Sequence, residues 1–94
     1  MNRVFWAQSA SRDLDAITDY LDDVAPDVRD KVIEAAAQCC GLLIDYPYIG
    51  EALAGSGLRK LAIGRFPYIF KYKVVGSIFT IIRVHHTAED WRHP

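Results

Sequence analysis

The period of the apolar residues changes once along this 94-residue chain, and that change limits the folds open to it. In the first half Leu14, Ile17, Leu21 and Val24 recur every three or four residues, with Tyr20 widening the stripe and Asp filling many positions between. That is the spacing of one face of an α-helix. Val28, Val32, Ile33, Ala36, Cys39, Cys40 and Leu43 form a second stripe of the same kind. From Arg59 onward the period is two. Arg59, Leu61 and Ile63 point one way and Lys60 and Ala62 the other; Tyr68, Phe70, Tyr72 and Val74 then alternate with Ile69, Lys71 and Lys73, as half-buried strands do. A chain this short buries roughly two-thirds of its unfolded surface, enough for one core and not two. The expectation is one domain over residues 1–94, with the helices layered on one face of the sheet.

Local signals set the boundaries. Arg3 to Ala7, with bulky Phe5 and Trp6, predicts a first strand, and Ser9 and Ser11 offer hydroxyls to cap the helix that follows. Pro26 pushes Ala25 out of the helical region and ends that helix near Val24. The same proline suits the first position of a second helix, whose exposed amides Asp27 and Asp30 complement. Tyr46-Pro47 and Gly50 close it, and Glu51 to Gly57 reads as a loop. Gly64 to Pro67 allows a turn, and Val75-Gly76-Ser77 is a hairpin signal. Ile78 to Val84, apolar on nearly both faces, reads as the central strand. The expected fold is α+β: an N-terminal strand and a helical hairpin packed on a mostly antiparallel sheet.

The formal net charge of −1 conceals a split. Met1 to Pro47 carries nine acidic residues against four basic, and Tyr48 to Pro94 seven basic against three acidic. An acidic helical half thus precedes a basic sheet half, an asymmetry that signals partners. No apolar run approaches the ~20 residues of a membrane-spanning helix, and the first residues are too briefly apolar for a signal peptide. Cys39 and Cys40 are adjacent, poorly placed to pair with each other and without a histidine at ligand spacing. No metal or cofactor is expected, and a reducing, cytoplasmic setting fits best.

Two groups of side chains carry possible chemistry. Arg59, Lys60, Arg65 and Arg83 are basic strand residues, and Arg59 and Arg65, six apart, share a face if the strand runs straight. Arginines beside a histidine can hold a phosphate and move a proton, as cleavage of RNA through its 2′-hydroxyl requires. The plainer reading is a solvated sheet face. His85 and His86 are consecutive on a strand and point to opposite faces, so they do not converge on one ligand. Asp19, Asp22 and Asp23 crowd the last turn of the first helix, where the helix dipole disfavours them; they are either a solvated face or a docking patch for a basic partner. Trp91 is placed to cover the edge of the sheet.

In order and spacing the chain resembles the RelE/ParE superfamily of type II toxin–antitoxin toxins. The resemblance runs through Trp6, Ala10, Asp13-Leu14, Ile17 and Tyr20, then Ile33, Leu42, Pro47 and Gly50. It is strongest at Gly57-Leu58-Arg59, Pro67 to Tyr72, and Ile82 to His86. It implies a cognate antitoxin whose extended segment wraps the toxin in a hetero-oligomer, with Asp19, Asp22, Asp23, Lys60 and Trp91 as partner contacts. The superfamily has two branches. RelE-like members are ribosome-dependent endoribonucleases that cut mRNA, for which Arg59, Arg65, Arg83 and His85 or His86 would be the catalytic set. ParE-like members generally lack that set and poison DNA gyrase; a member that only binds its antitoxin is a third expectation. Few lysines, a near-neutral charge that releases few counterions on RNA, and a tail that places Glu89 and Asp90 beside the candidate site favour the ParE-like branch.

Overall fold

A computed structural model describes residues 2–87. The elements run β1 (Arg3–Trp6), α1 (Gln8–Val24), α2 (Pro26–Asp45), β2 (Glu51–Leu53), β3 (Leu58–Ala62), β4 (Tyr68–Val75) and β5 (Ile78–His86). The strands form one sheet in the order β1-β5-β4-β3-β2, antiparallel except where β1 lies parallel to β5. The expected strand, helical hairpin and mostly antiparallel sheet are all present. Ile78 to His86 is an interior strand as its apolar faces require, although β4 occupies the middle of the sheet.

The core forms where the helical stripes meet the even-numbered face of β4. Phe70, Tyr72, Phe79, Ile81, Ile63, Leu43 and Val32 are fully buried, and the rings of Trp6 and Phe70 meet nearly perpendicular with their centres 5.3 Å apart. The helical stripes are narrower than their periodicity suggests. Ala10 and Leu21 are the buried residues of α1, while Tyr20 and Val24 face solvent. On α2, Ala35 is buried where Ile33 was expected, and Ile33 stands 45% exposed. Both stripes kept their period, but a helix lying on a small sheet buries only the part of its stripe that faces it.

Two boundaries differ from expectation for identifiable reasons. Helix α1 starts two to four residues earlier than the serines imply, with Ala7 as its N-cap and no side-chain cap. Ser9 instead donates its hydroxyl to the Ile82 carbonyl at 2.7 Å, tying the helix to β5. The loop expected at 51–57 contains the edge strand β2, since a three-residue strand is too short to show a period. Its turn is closed by Ser56, whose hydroxyl donates to the Leu53 carbonyl and accepts from the Leu58 N–H, with Gly55 and Gly57 both at positive φ. As expected, a turn through Gly64 follows β3, which stops at Ala62, and it removes Arg65 from the line of Arg59.

Candidate functional site: two committed arginines and a basic row

Strand β1 pairs with β5 only as far as Ile81. Beyond it the outer edge of β5 needs other partners, because backbone groups at an uncovered strand edge must be satisfied some other way. Helix α1 supplies them. Ser9 takes the Ile82 carbonyl, and Asp13 accepts the Val84 N–H at 2.9 Å. The same carboxylate takes both Nε and Nη2 of Arg83, at 2.7 and 3.1 Å, in a two-pronged ion pair. Burial alone would raise the Asp13 carboxyl; the hydrogen bonds from Arg83 and Val84, with the charges of Arg83 and nearby His85, outweigh it. The carboxyl therefore sits below its ordinary value of 3.8. Asp13 was legible as part of the resemblance but not as the partner of a residue seventy positions away.

Arg59 is committed in a different way. Its guanidinium donates to the carbonyls of Tyr48 and Gly50 at 3.2 and 2.7 Å and lies 5.1 Å from the centre of the Tyr48 ring. Tyr72 works on the same loop from beneath, donating its hydroxyl to the Pro47 carbonyl and accepting the Gly50 N–H. Burial raises the Tyr72 phenol, partly offset by the Gly50 N–H and the charge of Arg59. Three loop carbonyls and one amide are thus held by two side chains, and Tyr48 is presented outward, 63% exposed.

On the opposite face the register aligns Lys60 with Lys71 and Lys71 with Arg83, one basic row across three strands. Glu51 of β2 faces Lys60 and pairs with it at 3.4 Å. A bulge at Ile82 breaks the row: Lys71 faces Arg83, while Tyr72 faces Ile81. The Arg83 guanidinium leaves the row toward Asp13. Of the sequence-predicted set, the structure brings Lys60 and Arg83 into this row, puts Arg59 at the 48–50 loop and leaves Arg65 exposed in the turn.

The histidines separate as their positions require. His85 faces Ile69, and His86 lies opposite Tyr68, whose ring it meets edge-on at 5.4 Å. Among the described residues no three His, Cys, Asp or Glu side chains converge as a metal ion would need. Burial raises both cysteine thiols, and Cys39 is occupied with the Ala62 carbonyl. No helix among the described residues is long and apolar enough to cross a membrane. Of the acidic candidates, Asp22 pairs with Arg29 at 2.8 Å, while Asp19 and Asp23 meet no basic side chain among the described residues. Trp91, Glu89 and Asp90 lie outside the described residues.

Comparison with known proteins places this geometry. The profile of a family described as "ParE toxin of type II toxin-antitoxin system, parDE" matches residues 4–91. The protein named Toxin RelE2 from Caulobacter vibrioides is 32% identical over 88 residues, covering 94% of this chain and 98% of its own. Among solved structures, one described as the chromosomal ParDE TA system from P. aeruginosa superposes with a TM-score of 0.75 at 26% identity, over 92% of this chain and 96% of that one. A mutant of YafQ from E. coli shares the fold, with a TM-score of 0.62 at 18% identity over 94% and 96% of the two chains.

Proposed function

The chain belongs to the ParE toxin family of type II toxin–antitoxin systems, within the RelE/ParE superfamily, and we propose that it acts in the ParE-like manner, binding DNA gyrase and stalling its cleaved-DNA intermediate. A cognate antitoxin holds it silent. The observation that supports this reading over mRNA cleavage is the commitment of its arginines. Asp13 neutralises Arg83 through two hydrogen bonds, and Arg59 is spent on two loop carbonyls and the Tyr48 ring. Arg65 lies in a separate turn, and His86 packs on Tyr68. A nuclease needs cations and an acid–base group poised on one phosphate before the substrate arrives. Here the cations are already in use as struts.

The test is purified protein with gyrase and supercoiled plasmid. Supercoiling falls or cleaved DNA accumulates, and no effect at micromolar protein rejects the gyrase target. The RelE-like reading replaces it if mRNA is cut during translation and Arg83→Ala abolishes the cutting while the fold survives.

A further inference from the structure

A groove of about 400 Å³ lies between α1 and the β4–β5 end of the sheet, lined by Ala16, Ile17, Tyr20, Tyr68 and His86. Its walls are largely apolar or aromatic. Tyr20 is 63% exposed over it, and Val24, one helical turn further on, is 58% exposed. Exposed aromatic and aliphatic groups beside a concave site are the usual seat of a partner's anchor side chain.

The rim decides what kind of partner fits. Asp19 lies three residues after Ala16 and Asp23 three after Tyr20, so each carboxylate stands beside a groove residue on the helix surface. Of the three other acids of α1, Asp13 is occupied by Arg83 and Asp22 by Arg29, and Asp15 stands one turn before Asp19. Arg12 is the one basic residue of α1. Such a rim repels phosphate, so the aromatic walls are not a stacking platform for a nucleobase. We propose that this groove seats an apolar side chain from a basic segment of the antitoxin, whose flanking Lys or Arg residues meet Asp19 and Asp23. This rests on the toxin–antitoxin reading above and gives it a place and a chemistry. The two carboxylates are four residues apart, about 6 Å along the helix. Cations two apart on a strand or four apart on a helix span that distance.

A short synthetic peptide carrying leucine between arginines is the probe, titrated into the isotope-labelled full chain to about millimolar concentration. Amide shifts should move at Ala16, Ile17, Tyr20, Tyr68 and His86, and the same peptide with glutamate for arginine should leave them unmoved. Shifts confined to the Lys60–Lys71 face or the 46–49 loop, or no shifts at all, overturn the proposal. The protein encoded beside this chain supplies the second arm. Asp19→Lys with Asp23→Lys, and separately Ala16→Trp, which fills the groove from an exposed position, should each weaken that complex at least about tenfold with circular dichroism unchanged. A complex equally tight in wild type and both variants rejects the groove but leaves the toxin–antitoxin reading intact. If wild type itself forms no complex, that reading fails and the groove proposal falls with it.

Discussion

Asp13 is the residue on which the join between α1 and β5 depends. Its carboxylate is 19% exposed and replaces the strand that β5 lacks beyond Ile81, while tying down a 46% exposed Arg83. Asp13→Asn keeps the shape but takes the charge from three hydrogen bonds and turns an NH2 group toward a donor, which predicts a loss of about 1–3 kcal/mol at neutral pH. The pH dependence has a definite sign. Because the folded carboxyl sits below its ordinary value, the unfolded chain takes up the proton first as pH falls. Its contribution is fully present above about pH 5, and is lost as pH falls through the ordinary value toward the lower folded one. Urea unfolding of both proteins at pH 7 and near pH 3 should show the gap between them narrowing in acid. A gap that stays constant or widens would mean that Asp13 is not the titrating strut described.

At the scale of elements, two glycines separate a local cost from a tertiary one. Gly41 is an exposed interior residue of α2, and a Cβ there meets nothing within 4 Å. Gly41→Ala should therefore stabilise the protein by about 0.5–1 kcal/mol, the ordinary gain of alanine over glycine in a helix. Gly50 is the reverse. A Cβ there would fall 2.5 Å from the Tyr72 hydroxyl and 2.7 Å from the Lys60 carbonyl. Gly50→Ala should lower the melting temperature by breaking the Tyr72 and Arg59 holds on the loop, and thermal scans of the two variants should move in opposite directions. These positions also mark what the sequence can reveal. The helical hairpin was legible because its signals are local: a period of three to four and a proline at the corner. Strand β2 was not, since three residues carry no period and its existence depends on pairing with β3. Arg65 would share a face with Arg59 only on a straight strand, and the expected turn through Gly64 separates them. The histidines were separable because alternation along a strand is local, but the Arg59 and Arg83 struts are long-range and no spacing rule exposes them.

For the molecule as a whole, the charge split along the chain becomes a split in space. The hairpin carries most of the acids, and the sheet presents Lys60 and Lys71 in register on the face away from the helices, with the Arg83 guanidinium turned from that row toward Asp13. A net charge of −1 therefore does not prevent one face from meeting an anion while another meets a cation. If the gyrase complex with cleaved DNA is the target, the sheet row is the side suited to its phosphates and the α1 groove the side suited to the antitoxin. The two activities should then come apart. Lys60→Glu with Lys71→Glu should relieve growth arrest on induction while the antitoxin complex still elutes intact from a sizing column. Each phosphate contact removed should also lower the salt dependence of association with the DNA-bound enzyme by about one in the log–log slope. Asp19→Lys with Asp23→Lys should do the opposite, keeping the arrest and loosening the complex. Full arrest by the folded lysine variant would remove the basic row from the toxic surface. Loss of antitoxin binding in that same variant would mean that toxin and antitoxin meet across the sheet, and that the two faces do not divide the work.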